Sequence, residues 1–223
     1  MNKKLFFQAI IKYLVGVILV GALLFIPAGS FEYLNGWLFM GLLFIPMFIA
    51  GIIMMFKNPE LLKKRLNAKE KENEQKQVVL FSGLMFLTGF VVAGLNYRYK
   101  WIELPNVVVI ISSILFVISY ILYAEVLREN TYLSRTIEVQ KEQKVIDKGL
   151  YGIVRHPMYA VTIILFLTIP LVLGSIISSI IFLIYPIIIA KRIKNEENVL
   201  GKELKGYTEY KKKVKYKIIP FIW

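Results

Sequence analysis

Two polar clusters lie beside apolar segments in the last third of the chain. One contains the single histidine and spans Gly149-Leu150-Tyr151-Gly152-Ile153-Val154-Arg155-His156-Pro157-Met158-Tyr159, and the other is Lys191-Arg192-Ile193-Lys194-Asn195-Glu196-Glu197. A cationic and aromatic cluster at the boundary of a membrane span can bind a charged cofactor from water, while a lipid-soluble substrate arrives from the bilayer. A pair of linked spans separates the clusters, so we expect them to form one site at one membrane face.

Pro157 predicts that a helix begins directly after His156, because a proline at the first helical position removes no N–H that the helix needs. The helix start, Arg155 and His156 would together form an anion site. After the last apolar run, Arg192 and Glu196 stand four residues apart and share one helix face. Glu197 lies about 100° further round the helix, and we expect it to be a structural carboxylate.

Composition identifies an integral membrane protein, since 57% of the residues are hydrophobic and the mean hydropathy is +0.61. A helix needs roughly 20 apolar residues to cross a bilayer. We therefore predict an all-α polytopic protein with about six transmembrane helices, or five to six. The last two, separated by Gly174-Ser175, should form a tight helical hairpin. The predicted spans are 7–27, 34–56, 78–96, 106–127, 157–173 and 175–191.

The basic residues predict the orientation, because Lys and Arg concentrate in cytoplasmic loops. Of the 28 basic residues, 25 fall in the N-terminal tip, the loops 57–77 and 128–156, and the tail from 191. Both termini of this multi-pass cell-membrane protein are therefore predicted to be cytoplasmic. The net charge of +13 reflects mostly this asymmetry, with some attraction to anionic membrane lipids, and does not indicate a nucleic-acid partner.

Other chemistries are excluded by what the chain lacks. Without cysteine it has no thiolate nucleophile and no cysteine zinc site, and one histidine cannot build a histidine metal cluster. No Gly-x-Gly-x-x-Gly follows a strand and no phosphate-binding Gly-Lys-Ser/Thr loop is present, which excludes Rossmann and nucleotide-hydrolysing domains. We expect no metal.

The two long polar loops predict different things. Residues 57–77 open with an Asn-Pro turn and continue as a charged, helical stretch, which we expect to be a solvated connector. Residues 138–146 alternate apolar with polar positions before a turn at 147–149. This predicts a short ordered element that leads into the Tyr151 segment.

The order Gly-x-Tyr-x-x-x-Arg-His-Pro-x-Tyr resembles the cofactor motif of the isoprenylcysteine carboxyl methyltransferases and their bacterial relatives, which are grouped with the phospholipid methyltransferases. Arg-x-x-x-Glu-Glu-x-x-Leu at 192–200 resembles the second motif of that family. The tail Gly206-Tyr207-Thr208-Glu209-Tyr210-Lys211-Lys212-Lys213-Val214 with Ile219-Pro220 is similar to its C-terminal tail. The resemblance covers about residues 128–223. It divides the chain into N-terminal transmembrane helices, 1–127, and a cofactor-binding methyltransferase region, 128–223.

The resemblance implies S-adenosylmethionine as the cofactor. By position, it would be held by Gln140, Gln143, Lys144, Val145, Ile146, Tyr151, His156, Pro157, Met158, Tyr159 and Glu196. We add Arg155 to these residues because its positive charge could bind the cofactor carboxylate, while the faces of tyrosine rings bind the sulfonium. Arg192 matches the family arginine implicated on the substrate side, and we predict it to be the catalytic residue. Two departures are Gln143, where the family often has His, and Val161, where Gly is common.

The predicted function is therefore S-adenosylmethionine-dependent methyl transfer at the cytoplasmic face to an amphiphilic or lipid-like acceptor, with a carboxylate favoured. Displacement at a methyl carbon needs aligned reactants and a dry site rather than a nucleophile or a metal. Three alternatives stay open: a phospholipid N-methyltransferase, a sterol-type NADPH membrane reductase, and a non-enzymatic transporter or scaffold. The acceptor molecule and the oligomeric state are not determined by the sequence.

Overall fold

The computed structural model describes residues 3–67, 73–134 and 136–223, with the side chains of α4 described from Gln75 onward. Over these residues the protein is helical and has no strand. A short 3-10 helix, Gly149–Gly152, precedes α6. The α-helices are α1 Lys3–Ala28, α2 Leu34–Lys57, α3 Pro59–Leu66, α4 Asn73–Tyr99, α5 Asn106–Glu129, α6 Pro157–Val172, α7 Ile176–Phe182, α8 Tyr185–Glu203 and α9 Tyr207–Lys213.

Five segments are long and apolar enough to cross a membrane: α1, α2, α4, α5, and α7 with α8 taken together. The remaining apolar helix, α6, has 16 residues, or a length of about 24 Å. The prediction of a polytopic all-α protein with five to six spans is confirmed. Aromatic side chains from four of these helices meet in the core, where Phe39 lies 5.6 Å from Phe90 and 6.0 Å from Phe116 between ring centroids.

The hairpin predicted after α6 is present. Gly174 adopts a φ of 75°, and Ser175 donates its N–H to the Pro170 carbonyl at 2.9 Å, which ends α6 in a left-handed cap. The Ser175 hydroxyl then accepts from the Ser178 N–H at 3.2 Å and caps α7. Three residues, Leu173, Gly174 and Ser175, therefore connect α6 to α7.

The predicted last span, 175–191, is present but is not one continuous helix. α7 ends at Phe182, and α8 starts at Tyr185 with Pro186 in its first turn. Proline has no N–H to donate to the carbonyl four residues earlier, and its ring crowds that carbonyl, so the helix is interrupted there. The second polar cluster lies on α8.

The loops gather at two opposite ends of the helices. At one end Lys12 Nζ reaches the Leu66 carbonyl at 2.6 Å. At the other end the Tyr33 hydroxyl donates to the Leu173 carbonyl at 2.6 Å. The described parts of 57–77 and 128–156, and the tail, share the first end, where most of the basic residues lie.

The expectation that 57–77 is only a solvated connector is wrong for α3, whereas residues 68–72 lie outside the described part of the chain. The Asn58 side chain caps α3 by accepting from the Leu61 N–H at 3.1 Å. Leu61 and Leu62 are buried. Arg65 reaches the Tyr123 hydroxyl on α5, so α3 packs against the basic end of the protein.

Candidate functional site

A cavity of about 810 Å³, including the solvent at its mouth, opens at the basic end between the 130–146 loop, α6, α8 and α9. Most of the predicted site residues line it: Gln143, Lys144, Val145, Ile146, Tyr151, Arg155, His156, Met158, Tyr159, Arg192 and Glu196. The two polar clusters therefore converge, although Gln140 and Pro157 do not line the cavity.

Gln140 shapes the loop instead of facing the cavity. Its Nε2 donates to the Tyr132 carbonyl at 2.5 Å, and its backbone N–H donates to Gln143 Oε1 at 2.9 Å. The predicted ordered element at 138–146 is a turn without regular secondary structure. Val139 and Val145 anchor it against a cluster of buried tail residues that includes Tyr207 and Tyr210.

Gly149 is the residue that lets the Tyr151 segment close against α5. Its φ is 58°, a region that favours glycine. Both carboxylate oxygens of Glu129, the last residue of α5, accept from the Leu150 N–H, at 3.2 and 2.9 Å. A Cβ on residue 149 would lie 1.8 Å from Glu129 Oε1. Glycine at the head of the motif therefore suits the left-handed backbone, and a larger residue would also displace the Glu129 carboxylate that accepts from Leu150.

His156 is the N-cap residue of α6 and Pro157 opens the helix, as predicted. Arg155, however, is engaged inside the protein. Its Nε donates to Glu197 Oε1 at 2.7 Å, and its Nη1 donates to the carbonyls of Val214 and Lys215 at 2.8 and 2.7 Å. His156 Nε2 lies 3.3 Å from the same Glu197 oxygen. The sequence predicted that Arg155 binds a cofactor carboxylate, but in the structure its guanidinium holds Glu197 and the C-terminal tail in place.

The C-terminal tail completes this arrangement. The backbone N–H groups of Arg155 and His156 donate to the carbonyls of Tyr216 and Lys217 at 2.9 and 2.8 Å. The Tyr210 hydroxyl donates to the Tyr151 carbonyl at 2.7 Å. The motif segment is therefore held from one side by α5 and from the other by the tail.

The Tyr159 hydroxyl on α6 makes hydrogen bonds with the polar cluster on α8. Tyr159 donates its O–H to Glu196 Oε2 at 2.5 Å and accepts from Arg192 Nε at 2.9 Å. Arg192 Nη1 donates to Oε1 of Gln75, on α4, at 3.0 Å. The Tyr159 hydroxyl thus bridges Arg192 and Glu196, and α4 contributes to a site that the sequence had placed in the second half of the chain.

Two tyrosine hydroxyls at the cavity have no hydrogen-bond partner among the described residues: those of Tyr151 and Tyr207. Both side chains are buried and line the cavity. Burial raises the pKa of Tyr151, partly opposed by the nearby Asn130 side chain. Burial and the negative charge of Glu197 raise the pKa of Tyr207. Both phenols are therefore neutral donors at physiological pH, and buried donors of this kind are satisfied when a ligand supplies an acceptor.

Sequence reasoning did not choose Tyr207 as a site residue, although it lies in the tail that carried part of the resemblance. The available signal was the spacing of Tyr207 and Tyr210, which places two aromatic residues on one face of a short helix. Leu200 and Leu204 were also missed and form part of the apolar lining.

The helices define a polytopic membrane protein, and a cavity with both polar and apolar lining residues opens at the basic end of its helices. Residues 109–202, somewhat less than half of the chain, match the isoprenylcysteine carboxyl methyltransferase (ICMT) family, in agreement with the resemblance drawn from the motifs. The matched stretch begins within α5 and extends to the last turn of α8. A search of curated proteins found no significant match to the chain.

Proposed function

We propose that the protein transfers a methyl group from S-adenosylmethionine to the carboxylate of an amphiphilic, lipid-like acceptor at the cytoplasmic face of the membrane. The observation that carries this proposal is the convergence of the two clusters on one cavity, with Arg192, Tyr159 and Glu196 joined at its wall. The ICMT match supports methyl transfer to a carboxyl group. The cofactor, the membrane face and the acceptor are parts of the proposal.

The lining fits the proposed cofactor, which carries an ammonium, a carboxylate, a sulfonium, ribose hydroxyls and an adenine ring. Val145, Ile146, Leu200 and Leu204 provide apolar surface for a ring. The unpartnered hydroxyls of Tyr151 and Tyr207 can donate to an acceptor atom, and the tyrosine faces attract a cation. Glu196 can accept from hydroxyl or ammonium groups. The orphaned hydroxyls are the feature that the protein alone leaves unexplained.

S-adenosylmethionine supplies, when bound, a methyl group attached to a positively charged sulfur. The residues around the cavity would then have to orient the acceptor and exclude water. A carboxylate acceptor is already ionised at neutral pH, so it needs no general base. Arg192 offers planar donors suited to holding such an acceptor and would repel an ammonium group. These requirements favour O-methylation over N-methylation.

The structure also bears on the transporter alternative. Apart from tyrosines, the buried ionisable side chains of the described residues are Arg155, His156 and Glu197, and they lie together at the basic end. A transporter is expected to place ionisable groups near the bilayer midplane. The observed placement favours an enzyme with a site at one face.

The test of the cofactor uses the detergent-purified protein. S-adenosylhomocysteine should raise its melting temperature in a concentration-dependent way, whereas NADPH should not. Stabilisation by NADPH alone would support the sterol-type reductase and overturn the proposal.

The test of the acceptor uses membranes that contain the protein and S-adenosylmethionine with a labelled methyl group. Carboxyl methyl esters release labelled methanol under mild alkali, and we expect this release. Label found only in alkali-stable phosphatidylethanolamine derivatives would establish phospholipid N-methylation instead.

A further inference from the structure

We propose that Gln75, at the cytoplasmic start of α4, positions Arg192 and donates a hydrogen bond to the head group of the acceptor. This inference rests on the proposed methyl transfer to a carboxylate. It assigns a substrate-side role to a residue in the N-terminal half of the chain, well before the stretch that matches the ICMT family.

Gln75 is 1% exposed. Its Oε1 accepts from Arg192 Nη1 at 3.0 Å, although the two residues are 117 positions apart in sequence. Its Nε2 is buried and has no hydrogen-bond partner among the residues that the structure describes. A buried amide that uses its oxygen and leaves its nitrogen unpaired is incompletely satisfied, and a ligand oxygen can complete it.

The contact also constrains the guanidinium of Arg192. Tyr159 accepts from Nε on one side and Gln75 accepts from Nη1 on the other. A planar group held by two acceptors cannot rotate without breaking one of these bonds. Gln75 therefore fixes the orientation of the Arg192 guanidinium, and its own Nε2 is a neutral donor beside that cation. Such a pair is suited to a carboxylate, which accepts several hydrogen bonds.

A neighbouring pair across the same two helices provides a matched control. Gln77 Oε1 accepts from Lys191 Nζ at 3.1 Å. Both of these residues are exposed. This is also a hydrogen bond from a cationic side chain on α8 to a glutamine on α4, but it lies at the surface, and Lys191, unlike Arg192, does not line the cavity.

The experiment compares Gln75→Leu, Gln75→Glu and Gln77→Leu with the wild type, with an S-farnesylated N-acetylcysteine as the acceptor probe. Glutamate keeps an oxygen for Arg192 but removes the Nε2 donor and adds a charge that repels a carboxylate. We expect both Gln75 variants to raise the KM for the probe on the order of tenfold or more, the loss expected for one hydrogen bond to a charged group. Affinity for S-adenosylhomocysteine should stay within about twofold of wild type, and Gln77→Leu should match the wild type.

A double variant tests the positioning role. If Gln75 acts through Arg192, adding Gln75→Leu to Arg192→Lys should cost less than it does in the wild type. Should the wild type not use the probe, the same variants are compared by alkali-released methanol from native membranes.

The outcomes separate this inference from the proposed function. Wild-type kinetics in both Gln75 variants, or a loss of cofactor affinity as large as the rise in KM for the probe, would overturn the inference without contradicting the proposed methyl transfer. If Gln75→Leu does not fold, Gln75→Glu, which has nearly the same shape, decides the question. Absence of any stabilisation of the wild type by S-adenosylhomocysteine would overturn the proposed function, and this inference with it.

Discussion

Arg155 and Glu197 form a buried ion pair, with 2.7 Å between Nε and Oε1 and side chains that are 6% and 8% exposed. The same carboxylate lies 3.3 Å from His156 Nε2, and its other oxygen lies 3.6 Å from Lys211 Nζ. One glutamate of α8 thus holds the start of α6 and the tail together. The adjacent Glu196 instead faces the cavity and accepts from Tyr159.

The two neighbouring glutamates should therefore give opposite phenotypes. Glu197→Ala leaves Arg155 buried without its charge partner, which should cost about 3–5 kcal/mol of stability. Glu196→Ala should reduce affinity for S-adenosylhomocysteine roughly tenfold to a hundredfold and change the stability of the ligand-free protein less. Melting temperature with and without ligand measures both effects. The exposed Glu203→Ala is the control, and wild-type affinity in Glu196→Ala would place the cofactor elsewhere.

Removing the Tyr207 hydroxyl should weaken ligand binding without destabilising the protein. In Tyr207→Phe the lost group has no protein partner in the described structure, so the stability of the ligand-free protein should be unchanged or slightly higher. Affinity for S-adenosylhomocysteine should fall on the order of tenfold. Because burial raises the pKa of Tyr207, this dependence on the hydroxyl should persist from pH 6 to 9, where the phenol stays protonated.

Tyr210→Phe is the comparison for that variant. Its hydroxyl donates to the Tyr151 carbonyl, so losing it should lower the stability of the ligand-free protein by about 1 kcal/mol. A Tyr207→Phe protein that is less stable but binds the ligand normally would show that its hydroxyl has a structural role.

Gly149→Ala should disrupt the motif segment. The substitution places a Cβ on a left-handed backbone, 1.8 Å from Glu129 Oε1. Either the loop or the Glu129 side chain must move, which would disturb the hydrogen bond from the Leu150 N–H to the Glu129 carboxylate. We expect a loss of at least 1–2 kcal/mol and weaker ligand binding, read from thermal melts with and without S-adenosylhomocysteine. Gly201→Ala is the matched control: no atom lies within 4 Å of its Cβ position in α8, and alanine favours a helix. Equal melting temperatures for the two variants would contradict the close approach of Gly149 to Glu129.

The orientation can be tested in the cysteine-free chain by single cysteines. Gln143→Cys and Lys212→Cys should resist an impermeant maleimide in intact cells and react after permeabilisation, because the positive-inside rule places both in the cytoplasm. Lys100→Cys, in the loop at the opposite end, should react in intact cells. A single cysteine at Lys69, which lies outside the described residues, should resist labelling in intact cells like those at Gln143 and Lys212. Labelling of Gln143→Cys from outside would invert the topology and remove the case for a cytoplasmic cofactor.

The sequence by itself determined the features that arise from local pattern. Runs of apolar residues fix where a chain can cross a bilayer, and the distribution of Lys and Arg predicts which loops share one face. Pro157 predicted the start of α6, because the first turn is the part of a helix where a residue without an N–H is best tolerated. The candidate site residues Tyr151, His156, Tyr159 and Glu196 came from the resemblance of two short motifs to those of a known family. Each depends on groups only a few residues apart.

The tertiary structure alone decided which groups are partners. Arg155 could have faced a ligand or a carboxylate, and packing gave it Glu197, 42 positions later. Gln75 lies in a segment expected to be a solvated connector, yet α4 brings it to Arg192. Such pairings depend on which helix faces meet and on the cost of leaving a buried polar group unpaired. That free-energy cost depends on all the helices that pack together, so the spacing of residues within one helix does not predict which groups become partners.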